Sequence, residues 1–291
     1  FALSALWVIS MPSFAFAVEK LGASLFLSIL QGMLLSIVGL LVATLFNSRE
    51  VKKYRVNLTE QLIKDIDTIS QENETENQLV KEFLVLFLVL IGTIFFIYSI
   101  TGINILLIIP VVMIGWTFHY FAWKKRWRIF HIRLQLYVKE ELPFLSHQLS
   151  MMIGAGFFVY SLNQTAFSVH VSHFFSTIQQ VFPSINHLSL IPLIIIVLGF
   201  IGLGPLPAMV IAISILETVP LAYPPEITLL SVSTGSAFML LLSPIVPTVV
   251  TLSSVNGLSG VTNSLKFNWK FALTIYLFTQ LYIQFILYLF S

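Results

Sequence analysis

The residues best able to bind an ion or a polar solute lie in one stretch, residues 234–268, where prolines interrupt an apolar run. Residues 237–242 read as a membrane helix, but Pro244 and Pro247 follow at once. A proline inside a helix removes one backbone donor and clashes with the carbonyl group one turn earlier. We therefore expect the helix to unwind here, leaving carbonyl groups that hydrocarbon tolerates only beside protein or a wet cavity.

Uncharged polar side chains, separated by glycines, follow this break. Their hydroxyl and amide groups, together with the freed carbonyl groups, suit a site for a cation or an anionic solute near the middle of a membrane. The alternative is a proline kink followed by solvated loop residues. The candidate binding residues at the break are Ser243, Pro244, Pro247, Thr248, Thr251, Ser253 and Asn256.

A second apolar segment, residues 188–218, is interrupted at its centre by glycines and prolines. Each half has about 12 to 15 residues, too few to cross the bilayer core alone. We interpret it as a re-entrant hairpin with its tip near the middle of the membrane, and the alternative is one kinked helix. The tip residues Gly202, Gly204 and Pro205 join the candidate site.

The beginning of the chain carries a similar interruption. Residues 1–21 are apolar but broken at Ser10, Pro12 and Ser13, which we add to the candidate binding residues. Residues 1–17 lack the basic start of a signal peptide. We therefore expect that a part of the protein precedes Phe1.

Two acidic residues lie close to membrane segments outside the obvious loops. Acids within a membrane are costly and default to a functional role. Glu217, just beyond the predicted hairpin, is our candidate for proton coupling, whereas Glu19 is interpreted as an interfacial pair with the adjacent Lys20. The alternative places both acids at the outer interface, where water solvates them.

Composition excludes several classes of protein. The chain is 57% hydrophobic and only 10% charged, with a mean hydropathy of +0.93, which indicates a multi-pass protein of the cell membrane. It has no cysteine, and therefore no disulfide, thiolate nucleophile or cysteine metal site. His170 and His173 read as surface residues. The net charge is +2, with the basic residues in short loops, so the expected partner is the lipid bilayer and not nucleic acid.

The candidate residues must be positioned by membrane helices, and the fold class is all-α. Apolar spans are predicted at residues 22–46, 83–100, 103–123, 143–162 and 267–290. Basic residues mark cytoplasmic loops, which places residues 47–81 and 124–139 inside and residues 164–186 outside. Leucines and isoleucines at helical spacing predict an amphipathic helix in the linker of residues 47–81.

The beginning and the end of the chain share an order of features that suggests an inverted repeat. A Pro-containing break, a short apolar stretch and a long terminal span follow one another in both places, and the terminal spans begin near Gln31 and Asn268. Charge places the two broken segments in opposite orientations. We therefore expect the end of a first repeat in residues 1–46, a cytoplasmic linker in 47–81, and a second repeat in 82–291. The second repeat contains the broken helix 227–262.

Four motifs of the second repeat resemble the ion-transporter superfamily, which includes divalent-anion/sodium symporters and citrate, gluconate and arsenite carriers. They are Gly-Ala-Gly-Phe-Phe at 154–158, Gly-Leu-Gly-Pro-Leu-Pro at 202–207, Ser243-Pro244, and Lys-Phe-Asn-Trp at 266–269. The resemblance implies a scaffold part, a mobile part with hairpins and, often, a homodimer working by an elevator motion. The Ser-Asn-Thr hairpin tips of the dicarboxylate branch are missing, so sodium-coupled dicarboxylate transport is not carried over.

These observations predict a secondary active transporter of a small, anionic solute, with H+ or Na+ as the coupling ion and no other cofactor. The alternative is a non-transporting membrane scaffold or an accessory subunit of a larger complex. We do not expect an enzyme, because no histidine lies beside an acid within a span and no His-Glu-x-x-His motif is present.

Overall fold

A computed structural model describes residues 2–9, 11–54, 74–181, 186–217 and 223–290, and these residues contain helices and no strand. A 3₁₀ helix, Ala2–Leu6, precedes the α-helices. Two π-helical turns, Tyr137–Glu141 and Thr262–Lys266, precede α6 and α12. The α-helices are α1 Pro12–Leu21, α2 Leu25–Tyr54, α3 Glu74–Thr101, α4 Ile105–Trp123, α5 Trp127–Leu136, α6 Leu142–Asn163, α7 Phe167–Val181, α8 His187–Phe200, α9 Pro205–Glu217, α10 Pro225–Leu242, α11 Pro247–Asn256 and α12 Phe267–Phe290.

The chain is an all-α membrane protein. Five helical segments in the described residues are long and apolar enough to cross a bilayer, namely Leu25–Phe46, Gln78–Thr101, Ile105–Trp123, Pro225–Asn256 and Thr262–Leu289. Most of the large apolar side chains on α3 and α4 are exposed, as expected of surfaces that contact lipid. The predicted linker helix of residues 47–81 falls largely outside the described residues.

The chain divides into two compact units, Phe1–Val42 with Ile132–Ser291, and Ala43–His131. The second unit contains a hairpin of two long helices, α3 and α4. Asn104 caps the start of α4 by accepting a hydrogen bond from the Leu106 N–H at 2.9 Å. At the other end of the pair, the Lys124 ammonium lies 2.7 Å from the Glu82 carboxylate. The two polar ends of this hairpin are therefore on the same side.

Helix α10 is the centre of the first unit, and every residue from Ile227 to Leu240 is buried. Small residues allow α8 to pack closely along it. The Ser231 hydroxyl donates to the Leu188 carbonyl at 2.6 Å, and a Cβ on Gly235 would lie 2.8 Å from the Pro192 Cα. Because these contacts advance together along both chains, α8 and α10 run parallel.

The segment after α8 folds back as a separate helix. Helices α8 and α9 pack against each other, so this part of the chain contains two helices and not one kinked helix. Helix α12 also runs antiparallel to α10, since its Tyr276 hydroxyl donates to the Ser189 carbonyl at 2.7 Å, near the start of α8. The preceding Gly260 packs against Pro244 at the far end of α10.

The N-terminal segment completes the packing around α10. Both the 3₁₀ helix and α1 contact α10. Helix α1 runs toward the first turn of α10, because just beyond its end the Ser24 N–H donates to the Glu226 carboxylate at 2.9 Å. Helix α2 then packs on the 3₁₀ helix, and the Ser36 hydroxyl donates to the Leu3 carbonyl at 3.0 Å. Gln31 lies within α2, which begins at Leu25, so Gln31 is not the opening residue that the sequence comparison assumed.

Candidate functional site

The two parallel helices α8 and α10 end side by side, and Ser243 joins them. Ser243 is fully buried, with extended backbone that ends α10. Its hydroxyl donates to the Gly199 carbonyl at 2.8 Å and accepts a longer bond from the Ile245 N–H at 3.4 Å. The break in α10 and the end of α8 are therefore one junction.

The tip between α8 and α9 has a conformation that requires glycine. Gly202 has a φ of 102°, which side chains with a Cβ rarely adopt. Gly204 follows in the turn, and Pro205 is the first residue of α9. The first position of a helix is the one at which proline is most favourable. The predicted tip residues Gly202, Gly204 and Pro205 thus form the turn that follows Gly199, whose carbonyl group Ser243 binds.

The break itself spans residues 243–246, as the two prolines predicted. Pro247 opens α11 after an extended Val246, and no side chain caps this helix. Pro244 packs against Gly260, where an added Cβ would lie 2.8 Å from the Pro244 carbonyl oxygen. Thr248 and Thr251, predicted as binding residues, are exposed.

Asn263 gathers two of the predicted binding residues into a hydrogen-bonded network. Its amide exchanges two bonds with Asn256, at 2.8 Å and 3.0 Å. It also donates to the Ser253 hydroxyl at 2.9 Å. Asn263 is only 5% exposed, so this network closes the space between α11 and the π-helical turn with polar groups.

The π-helical turn and the first turn of α12 contain two amide residues that the candidate set omitted, Asn263 and Asn268. Asn268 donates to the Asn263 carbonyl at 2.8 Å and to the Ser264 carbonyl at 2.9 Å. These bonds tie the Asn268 side chain to the backbone of the π-helical turn. Turns of this kind occur often at functional sites. The spacing of Asn263 and Asn268, five residues apart, was the available sequence signal.

The helix ends at the junction can attract ions of either sign without a charged side chain. The C-termini of α8 and α10 carry partial negative charge, and the N-termini of α9 and α11 carry partial positive charge. Residues 199–207 and 243–263 contain no ionisable side chain. Any ion bound here would therefore be held by neutral groups and backbone dipoles.

The N-terminal candidate residues lie on α1 or beside it. Ser13 is buried and Pro12 is exposed at the first turn of α1, while Ser10 lies outside the described residues. Helix α1 ends beside the first turn of α10, and α11 begins beyond the last turn of α10. The end of α1 and the start of α11 therefore lie at opposite ends of α10.

Glu217 is bound to Lys20 and not to a group in the junction. The carboxylate lies 2.9 Å from the Lys20 ammonium, and both side chains are 46% exposed. This ion pair links α1 to α9.

Buried hydroxyl groups on α10 were missed by the sequence analysis. Ser233 and Ser236 are fully buried, and their hydroxyl oxygens have no hydrogen-bond partner in the described residues. By contrast, the Thr234 hydroxyl donates to the Leu230 carbonyl at 2.7 Å. The sequence Ser-Val-Ser-Thr-Gly-Ser at 231–236 was the available signal, since small polar residues are common where membrane helices pack closely.

A histidine at the first residue of α8, outside the helices long enough to span, has a shifted acidity. The ring of His187 packs edge-on to Phe175, and its Nδ1 lies 3.2 Å from the Tyr223 hydroxyl. Burial lowers the pKa of His187, and a backbone hydrogen bond at Phe175 opposes this in part. No group of three metal-binding side chains occurs among the described residues.

Comparisons with protein-family models, curated proteins and solved structures found no match to this chain. The interpretation of the junction therefore rests on its own geometry.

Proposed function

We propose that this chain is a secondary active transporter that moves a small anionic solute by alternating access. The observation that carries the proposal is the likeness of α1 and α11. Each has 10 residues, begins with proline after an extended residue that gives no side-chain cap, and ends at a left-handed glycine, Gly22 or Gly257. A long apolar helix follows each of them.

These two helices support an inverted repeat, the architecture in which transporters pair discontinuous helices from opposite sides of the membrane. The end of α1 and the start of α11 lie at opposite ends of α10, and Gly22 corresponds to Gly257 when the prolines are matched. The first unit holds both breaks and the α8–α9 hairpin, so we assign transport to this unit.

The junction at Ser243 and Gly199 is the proposed site of the solute or its coupling ion. Helix C-termini of α8 and α10 favour a cation such as Na+, and the N-termini of α9 and α11 favour an anion. Proton coupling through Glu217 is the alternative to sodium.

The proposal is tested by flux into proteoliposomes that contain the purified protein. A panel of small carboxylates and oxyanions is offered under an imposed proton or sodium gradient. The double variant Pro244→Ala/Pro247→Ala restores two backbone donors and favours one continuous helix from α10 into α11. We expect circular dichroism and gel filtration to show that the double variant folds. We expect its flux to fall about tenfold or more, which corresponds to about 1.4 kcal/mol or more.

Pro110→Ala is the matched control, because Pro110 lies inside α4 without breaking it. This variant should retain flux. Normal flux in the double variant would mean that the break is only a kink and that the site lies elsewhere. A wild-type protein that shows no substrate-dependent flux with any member of the panel would favour the scaffold alternative.

A further inference from the structure

We propose that the turn between α4 and α5 binds the headgroup of an anionic phospholipid in the cytoplasmic leaflet. We call residues 124–128 the basic turn. It belongs to the second unit, whereas the proposed transport site belongs to the first unit. The inference therefore goes beyond the proposed function, and it does not require that the chain transports a solute.

The basic turn has four cationic side chains in five residues, Lys-Lys-Arg-Trp-Arg. The Lys124 ammonium lies 2.7 Å from the Glu82 carboxylate and is thereby paired. The side chains of Lys125, Arg126 and Arg128 are exposed, and none of the three forms an ion pair within the described residues. Three positive charges thus lie close together in the chain without a counter-charge from the described protein groups.

Hydrogen bonds of the backbone hold these cations in an ordered turn. Helix α4 ends at Trp123, and Lys125 has a φ of 51°, a left-handed conformation typical of the residue that ends a helix. The Arg126 N–H donates to the Phe121 carbonyl at 3.0 Å, and the Arg126 carbonyl accepts from the Phe130 N–H at 3.1 Å. The backbone of Arg126 therefore connects the last turn of α4 to the first turn of α5.

Aromatic rings fix the start of α5 against the end of α4. The Phe130 ring of α5 lies 5.2 Å from the Phe118 ring and 5.3 Å from the Phe121 ring, both of α4. It also lies 5.7 Å from the Trp127 ring. Aromatic rings attract each other at such separations. The cluster therefore keeps the basic turn at the end of the membrane-spanning helix.

The depth of the basic turn favours a lipid as its partner over an acidic protein. Helix α4, Ile105–Trp123, is long and apolar enough to cross a bilayer, and the first cation follows it directly. Trp123 is 70% exposed and Trp127 is 45% exposed, and tryptophan is enriched at the level of the lipid headgroups. Clusters of four or more cations directly after a membrane helix are typical of sites for anionic headgroups.

The chemistry of the three free cations favours a lipid with a net negative charge. The guanidinium groups of Arg126 and Arg128 can each donate two hydrogen bonds to a phosphate group, and the ammonium of Lys125 adds a point charge. A zwitterionic headgroup has an ammonium group of its own, which these cations repel. Basic loops lie on the cytoplasmic side of a membrane, and anionic lipids give the cytoplasmic leaflet its negative surface potential.

The test is native mass spectrometry of the purified protein in detergent, titrated with phosphatidylglycerol or with phosphatidylcholine of the same acyl chains. Wild-type protein should bind its first phosphatidylglycerol at an about tenfold lower concentration than its first phosphatidylcholine. Lys125→Asn/Arg128→Gln should lose most of this preference. Asparagine tolerates the left-handed conformation, and the double variant leaves unchanged both the ion pair of Lys124 and the backbone bonds of Arg126.

Lys266→Gln/Lys270→Gln is the matched control, because it removes two exposed cations outside the basic turn and changes the net charge equally. This variant should keep the preference for phosphatidylglycerol. An equal loss in both double variants would mean that net charge, and not the basic turn, selects the lipid. That result would overturn the proposal, as would a wild-type protein that does not distinguish the two lipids.

A second measurement does not depend on the variants folding. Hydrogen exchange of wild-type protein is followed in nanodiscs of phosphatidylcholine, with or without phosphatidylglycerol. Phosphatidylglycerol should slow exchange in peptides that cover residues 124–128, and protection found only elsewhere would overturn the proposal. Soluble glycerol phosphate and a peptide of glutamates are then added as competitors. Loss of the protection with glycerol phosphate would assign the turn to a free phosphate compound, and loss with the peptide would assign it to an acidic protein. Either result would overturn the assignment to lipid.

Discussion

Asn263 is the side chain through which the polar residues after the break act together. It bonds to Asn256 and Ser253 by its amide, and its backbone carbonyl accepts from Asn268. One buried residue therefore links α11, the π-helical turn and the first turn of α12. Predicted binding residues such as Ser253 are held by protein partners and are not free groups awaiting an ion.

Also at the residue scale, a substitution of Glu217 tests which ion is coupled to transport. Its carboxylate pairs with the Lys20 ammonium across α1 and α9. If the carrier runs on protons, we expect Glu217→Gln to abolish the pH dependence of flux in proteoliposomes. Glu226→Gln is the control. Among the described residues, the Glu226 carboxylate accepts a hydrogen bond from the backbone N–H of Ser24 and is not part of an ion pair. Unchanged pH dependence in Glu217→Gln would leave sodium as the simpler coupling ion.

For single residues, effects on the local backbone could be predicted from the sequence, whereas the partners of side chains could not. Pro244 and Pro247 act on their own backbone, so the break could be placed from the sequence to within a residue. The partner of Lys20 depends on how α1 packs against α9. The sequence around Lys20 does not predict a contact with a residue so far along the chain. The missing partners of Ser233 and Ser236 depend on packing in the same way.

At the scale of elements, close packing onto the 3₁₀ helix explains why α2 contains glycine at position 32. A Cβ at Gly32 would collide with the carbonyl group of Leu6, a backbone atom that has little freedom to move. Gly32→Ala should therefore lower the free energy of unfolding by about 1–3 kcal/mol, the usual cost of overpacking. The measurement is thermal or denaturant unfolding in detergent.

Gly92→Ala in α3 is the matched substitution, because nothing lies within 4 Å of its added Cβ. This change should be neutral or stabilise by less than about 1 kcal/mol, since alanine favours helix. Equal effects of the two substitutions would contradict the packing described for the 3₁₀ helix and α2.

The bounds of the helices were largely predictable, while their irregularities were not. The last helix was predicted at residues 267–290 and occupies Phe267–Phe290, because a long apolar run has few alternative structures. The π-helical turn just before it differs from an α-helix by one extra residue within a turn, which leaves no mark on hydrophobicity. The burial of α10 on all sides was not predicted, because it depends on the helices that pack around α10.

At the scale of the whole molecule, the direction of the helices predicts two sides for the first unit. Lys20 lies at the end of α1 beside the start of α10, and Lys270 lies in the first turn of α12, which follows the broken end of α10. Because the chain has no native cysteine, Lys20→Cys and Lys270→Cys can each be labelled alone with a membrane-impermeant maleimide. We expect them to react from opposite sides, with Lys270 on the cytoplasmic side that basic residues favour.

The second unit provides the control for this experiment. Glu82 and Lys124 form an ion pair, so cysteines at these two positions must react from one side. Reaction of the Lys20 and Lys270 positions from a single side would contradict the antiparallel arrangement of α1 and α10 and, with it, the proposed inverted repeat.

The complete enclosure of α10 has a consequence for how the protein is made. A ribosome releases α8 and α9 before α10, and α12 only afterwards, so α10 enters the membrane with one of its sides uncovered. That side contains Phe238 and Thr234, and it is later covered by α12, whose Tyr276 ring lies near Phe238. Until then α10 must be retained by the earlier helices or by the insertion machinery. The order of synthesis thus becomes an order of assembly, with α12 closing the bundle last.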